Sequence, residues 1–203
     1  MLHKEKGKKI IKKQKDENTN RLLNLGDCHK FGLGRKVNHK EAFKNYKEAS
    51  KLGNLMAKIR LADCYLDGEG VKQNQKIAFE MYQEVFDAIP DSSPIINIKA
   101  RAAARLGSCY MNGEGVKKND KLTYSYFKWA AFKNDVYGYL GLATCYIEGI
   151  GCSKNPKIAL EHYNKAIDLF APIDIYELIN YFREKKNMVK IHFLPKLNKK
   201  LAK

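Results

Sequence analysis

Apolar and polar positions along this chain follow a helical period, and the pattern then recurs as a block. The copies read LGDCHKFGLGRKVNHKEAFKNYKEA from Leu25, LADCYLDGEGVKQNQKIAFEMYQEV from Leu61, LGSCYMNGEGVKKNDKLTYSYFKWA from Leu106 and LATCYIEGIGCSKNPKIALEHYNKA from Leu142. They start 36, 45 and 36 residues apart. Each block predicts two antiparallel helices, A and B. On helix A the packing residues are Leu25, Leu61, Leu106 and Leu142, followed four residues later by His29, Tyr65, Tyr110 and Tyr146. On helix B, Tyr46, Tyr82, Phe127 and Tyr163 share a face with Phe43, Phe79, Tyr124 and Leu160, three residues earlier. Ala57, Ala102 and Gly138 allow helices to approach closely. A fixed period of this length implies a stack of helix pairs in which each unit buries its apolar face on its neighbours.

The turn between the two helices is equally regular. Helix A runs into Gly32-x-Gly34, Gly68-x-Gly70, Gly113-x-Gly115 and Gly149-x-Gly151, and helix B follows Asn38, Asn74, Asn119 and Asn155. The first glycine suits the left-handed residue that ends a helix, and asparagine is a preferred N-cap. Pro156 after Asn155 occupies the favoured first helical position. A Gly-x-Gly that binds phosphate follows a strand and opens a helix, whereas these follow a helix.

These residues resemble the Sel-1-like repeat, a relative of the tetratricopeptide repeat, over about residues 20–170. Copy three matches its pattern through Leu106, Gly107, Tyr110, Gly113, Gly115, Val116, Asn119 and Lys121, and copy four through Ala159, Tyr163, Lys165 and Ala166. Ala62 and Ala143 depart from it in place of a packing glycine, Arg35 in place of the turn valine and His29 in place of the tyrosine. Copy one carries two of these departures, and Arg21 stands where later copies have a small residue, as expected of a terminal unit. The resemblance implies an all-α fold, a right-handed superhelix of antiparallel helix pairs. It also implies a non-enzymatic adaptor that holds other proteins together.

The expected organisation is a basic N-terminal extension over residues 1–19 and copies at about 20–54, 55–98, 99–135 and 136–171. A capping helix and basic tail follow over 172–203. Ile175, Leu178, Ile179 and Phe182 share one face of the capping run. The nine-residue excess between copies two and three falls in residues 88–99, where Pro90 and Pro94 block a continuous helix. There Ile95, Ile96 and Ile98 form either a recognition loop or a tolerated lengthening.

Charge alters the picture at the ends. The chain carries +16, of which residues 1–20 hold +4 and residues 183–203 hold +7. Such ends could contact nucleic acid or an anionic membrane surface, the alternative to a protein partner. No stretch approaches a membrane span and no signal-peptide core is present, so a cytoplasmic, reducing compartment is expected. Cys28, Cys64, Cys109 and Cys145 share one register position and read with Cys152 as small core residues. Neither they nor the five histidines have ligand spacing, so no metal, cofactor or catalytic constellation is expected.

By analogy with tetratricopeptide grooves, a partner peptide or helix would meet polar residues of helix A on the concave side. These are Asn20, Asp27 and Lys30 in copy one, Asp63 and Asp67 in copy two, Arg101, Ser108 and Asn112 in copy three, and Tyr137, Thr144 and Glu148 in copy four. Charge reversal at Arg101 with Asp63 is expected to weaken capture and to leave stability almost unchanged.

Overall fold

The computed structural model describes residues 2–169, and the proposed capping run and tail beyond them lie outside the described residues. Eight helices follow in order: α1 Leu2–Phe31, α2 His39–Lys51, α3 Leu55–Asp67, α4 Gln75–Ala88, α5 Ile96–Asn112, α6 Asp120–Phe132, α7 Val136–Glu148 and α8 Pro156–Leu169. Among the described residues there is no strand. Odd-numbered helices are the A members and even-numbered helices the B members of four pairs. Each helix packs on its chain neighbours, so the molecule is an all-α helical solenoid. Helix α5 also packs on α7 and touches α3, and the B helices make no comparable contacts among themselves. The A layer is therefore the crowded inner side.

Every predicted turn closes by the same set of bonds. The side-chain oxygens of Asn38, Asn74, Asn119 and Asn155 accept from the amides of Glu41, Ile77, Leu122 and Ile158 at 3.0–3.1 Å. The backbone amides of the same asparagines donate back to the carbonyls of His29, Tyr65, Tyr110 and Tyr146 at 2.7–3.0 Å. Each asparagine thus starts helix B and ties it to the end of helix A.

The second glycine does more than relax the backbone. At Gly70, Gly115 and Gly151 a Cβ would collide with the carbonyls of His39, Gln75 and Asp120, at the start of helix B in the preceding copy. The turn of one copy therefore lies against the N-terminus of the previous B helix. Gly34 has the same positive φ but meets nothing within 4 Å, because no copy precedes it.

Two aromatic layers hold the stack. Tyr46, Tyr82, Phe127 and Tyr163 are buried at the centre of each pair. The outer set forms the joints between copies: Phe43 meets Tyr65, Phe79 meets Tyr110 and Tyr124 meets Tyr146, edge to face at 5.5–5.9 Å. In copy one the two departures face each other, the Arg35 guanidinium donating to His29 Nε2 at 3.1 Å.

Residues 88–99 split between a loop and a helix. Helix α5 begins at Ile96, so Ile96 and Ile98 belong to its first turns, and only Ile95 is exposed in the loop. Lys99, nearly buried, is clipped to Asp91 of the loop and lies 4.7 Å over the Phe86 ring. Helix α1 is also longer than its copy requires and continues upstream through the lysine-rich segment.

Candidate protein-interaction face

The inner layer is a set of A-helix registers, and the third residue of each block shows how it is used. Asp27 accepts from the Tyr46 hydroxyl at 2.7 Å, and Asp63 accepts from the Tyr82 hydroxyl at 2.6 Å. In copy four Thr144 is hydrogen-bonded to Tyr163. In copy three the aromatic is Phe127, and its counterpart Ser108 turns to its own helix and donates to the Ala104 carbonyl. Side chain and aromatic match pair by pair: where the ring has a hydroxyl, the inner position supplies its partner. Asp27, Asp63, Ser108 and Thr144 therefore act first as internal polar partners.

Charges then link the copies. Arg60 lies 3.5 Å from Asp27 and 3.9 Å from Asp63. Arg105 reaches Asp63 with Nε at 3.0 Å, and Arg101 Nε donates to Asp135 at 2.8 Å. Asp135 also caps α7, its second oxygen accepting from the Gly138 amide at 2.9 Å. The guanidinium groups of Arg101 and Arg105 both lie over the Tyr137 ring, at 4.4 and 5.2 Å. Lys30 crosses from copy one to Glu69 of copy two at 2.7 Å. Burial opposes its charge, yet Asp63 and Glu69 raise its pKa above the ordinary lysine value.

Asp63 is only 3% exposed. Reversing it together with Arg101 breaks buried ion pairs and should cost stability, contrary to the expectation from the sequence. Arg60 and Arg105 were not among the residues expected from the sequence. Their signal was present, since both precede the repeat leucine at the same register position.

Four of the expected residues remain open to solvent. Asn20 accepts from the Asn54 amide at 3.1 Å. Asp67, Asn112 and Glu148 stand at one register position, just before the glycine that ends each A helix. Asn112 donates to Glu114 at 3.1 Å, while the carboxylates of Asp67 and Glu148 form no ion pair among the described residues. Surrounding protein and the nearby Asp63 push the Asp67 carboxyl up to about 6 despite its solvent access.

The buried thiols of Cys64, Cys109 and Cys145 are raised to about 12, chiefly by burial, and all five cysteines are free. Such thiols pack and do not act as nucleophiles. Among the described residues no group of three potential metal ligands comes together. No described helix is long and apolar enough to cross a membrane.

Known proteins agree with the helix-pair reading. The family model described as "Sel1 repeat" matches residues 22–54, 55–84, 100–131 and 136–169, one match for each pair. A Sel1 repeat protein from Oxalobacter formigenes is similar over 78% of this chain and 61% of its own, with 26% identity and a TM-score of 0.58. A protective antigen of uropathogenic Escherichia coli displaying an SLR fold is similar over 74% of this chain and 30% of its own, with 25% identity and a TM-score of 0.55. The chain thus covers less than two thirds of the length of either. No curated protein sequence matches it. Four matches in register with four capped helix pairs cover well over half the chain, which belongs to the Sel1 repeat family.

Proposed function

We propose that the protein is a non-enzymatic scaffold whose inner A layer holds a peptide or helix of a partner protein. The observation that carries this is the row Asp67, Asn112 and Glu148: one solvent-facing polar side chain in each of copies two, three and four, set at the same place on α3, α5 and α7. Neighbouring A helices lie about 8–10 Å apart, so an extended chain at about 3.3 Å per residue would offer one side chain to each copy roughly every third residue. Two unpaired carboxylates at the ends of the row favour a peptide with basic residues about six positions apart. Asn20 extends the same face into copy one. Asp27, Asp63, Arg101, Ser108, Tyr137 and Thr144 shape the floor beneath it.

Affinity capture with the full chain and with Asp67→Lys/Glu148→Lys tests this reading. Both positions lie at helix C-termini, where a cation is favourable, so the variant should keep its helical content and melting temperature. It should lose the wild-type set of partners, and an unchanged set would overturn the assignment. A second reading rests on α1, which adds about 27 Å of lysine-rich helix upstream of residue 20. Binding of an anionic partner there would fall steeply with salt and vanish on deletion of residues 1–18.

A further inference from the structure

We infer that the outer face of α6 is a second docking surface, and that its partner is an acidic amphipathic helix. Helix α6 differs from the other B helices in both charge and exposure. After Asp120 at its first position α6 carries no acid, whereas α2 carries Glu41 and Glu48, α4 carries Glu80, Glu84 and Asp87, and α8 carries Glu161 and Asp168. Lys121, Ser125, Lys128 and Phe132 are exposed and fall at i, i+4, i+7 and i+11, a single stripe. Phe132 is 77% exposed, where the other copies carry Lys51, Asp87 and Asp168. Leu122 is 38% exposed near the opposite end of the stripe, about 15 Å away along the helix axis.

Phe132 ends the stripe and Leu122, about 80° round the helix from it, flanks the other end, with Lys121 and Lys128 on the stripe and Lys133 beside it. The Lys133 ammonium sits 5.2 Å over the Phe132 ring and 5.7 Å over Trp129, so the cation and the aromatic form one patch. Of the flanking acids, Asp91 binds Lys99 and also acts on Lys133, and Asp87 accepts from the neutral Gln83 amide, whereas Lys121 and Lys128 form no ion pair among the described residues. Charge complementarity selects the occupant. The chain's own lysine-rich ends carry the wrong sign, and a second copy of a chain at +16 is repelled. A nucleic acid needs successive stacking rings along its track, and Leu122 supplies none. An acidic helix with apolar residues about three turns apart matches both anchors and the lysines between them.

The probe is a labelled synthetic helix-forming peptide about five turns long, leucine on one face and glutamate on the other, with a control in which lysine replaces glutamate. Fluorescence anisotropy should show saturable binding of the acidic peptide to the full chain and none of the lysine peptide. Phe132→Ala, which removes an exposed ring and should leave the melting temperature unchanged, weakens binding by about tenfold or more. Lys128→Glu/Lys133→Glu abolishes it. Asp67→Lys/Glu148→Lys retains full affinity, which separates this surface from the inner row. The inference is overturned by any of three results: absence of acidic-peptide binding, equal binding by Phe132→Ala, or displacement of the peptide by single-stranded RNA or anionic vesicles in a Phe132-dependent way.

Discussion

Asp63 and Asp67 share one face of α3, four residues apart, yet serve opposite uses. Asp63 is buried and satisfied by Tyr82 and Arg105, and its charge holds the joint between copies two and three. Asp67 lies four residues on, one turn nearer the end of α3, where its surroundings and Asp63 disfavour its charge. Its folded pKa of about 6 exceeds the unfolded carboxylate value, so the folded state binds more protons between about pH 4 and 6. That stabilisation is complete below the unfolded pKa and is lost as pH rises through 6. Asp67→Asn should therefore stabilise the protein at pH 7 by about 1 kcal/mol or less, after allowance for solvent screening, and leave it unchanged near pH 4. Urea unfolding of both proteins at the two pH values measures the difference, and an equal effect at both would contradict the assignment. From the sequence both aspartates looked like groove residues, because their periodicity places them on one face. The partners that separate them are 19 and 42 residues away, and only packing brings those together.

At the scale of the element, the turn was largely legible. Glycine after the last periodic residue, then asparagine before the next, was enough to place the ends of helices A and B. The sequence did not reveal why the second glycine recurs. Its conformational freedom explains the residue in isolation, yet three of the four copies also press it against the previous B helix. Gly34 and Gly115 separate the two causes, since they share a positive φ of 68° and 72° and differ only in neighbours. Gly34→Ala should cost about 1–2 kcal/mol, the strain of a side chain in the left-handed region. Gly115→Ala should cost a further 1–3 kcal/mol or so, because its Cβ drives the turn away from Gln75. Chemical denaturation of the two variants gives both values. Equal costs would mean the close approach at Gly115 contributes nothing.

For the whole molecule, the joints differ in how they are held. Copies three and four meet through broad α5–α7 packing, the Tyr124–Tyr146 pair and the Arg101–Asp135 bridge. Copies two and three are separated by the longer connection after α4, and α5 only touches α3 on the inner side. There the inner link is Arg105 on Asp63, backed by Phe79 on Tyr110 and by the Lys99–Asp91 clip at the loop. In a stack whose stability sums unit and neighbour terms, weakening one joint uncouples the halves on either side of it. Arg105→Met keeps most of the side-chain volume and leaves the buried Asp63 with Tyr82 and Arg60, at a cost of about 2–3 kcal/mol. Hydrogen exchange should then rise in α3 and α4 while α7 and α8 keep their protection. The denaturant transition should broaden as unfolding ceases to be all-or-none. A uniform loss of protection with an unchanged slope would show instead that the four copies still fold as one unit, with the coupling carried by the aromatic joints and not by the ion pair.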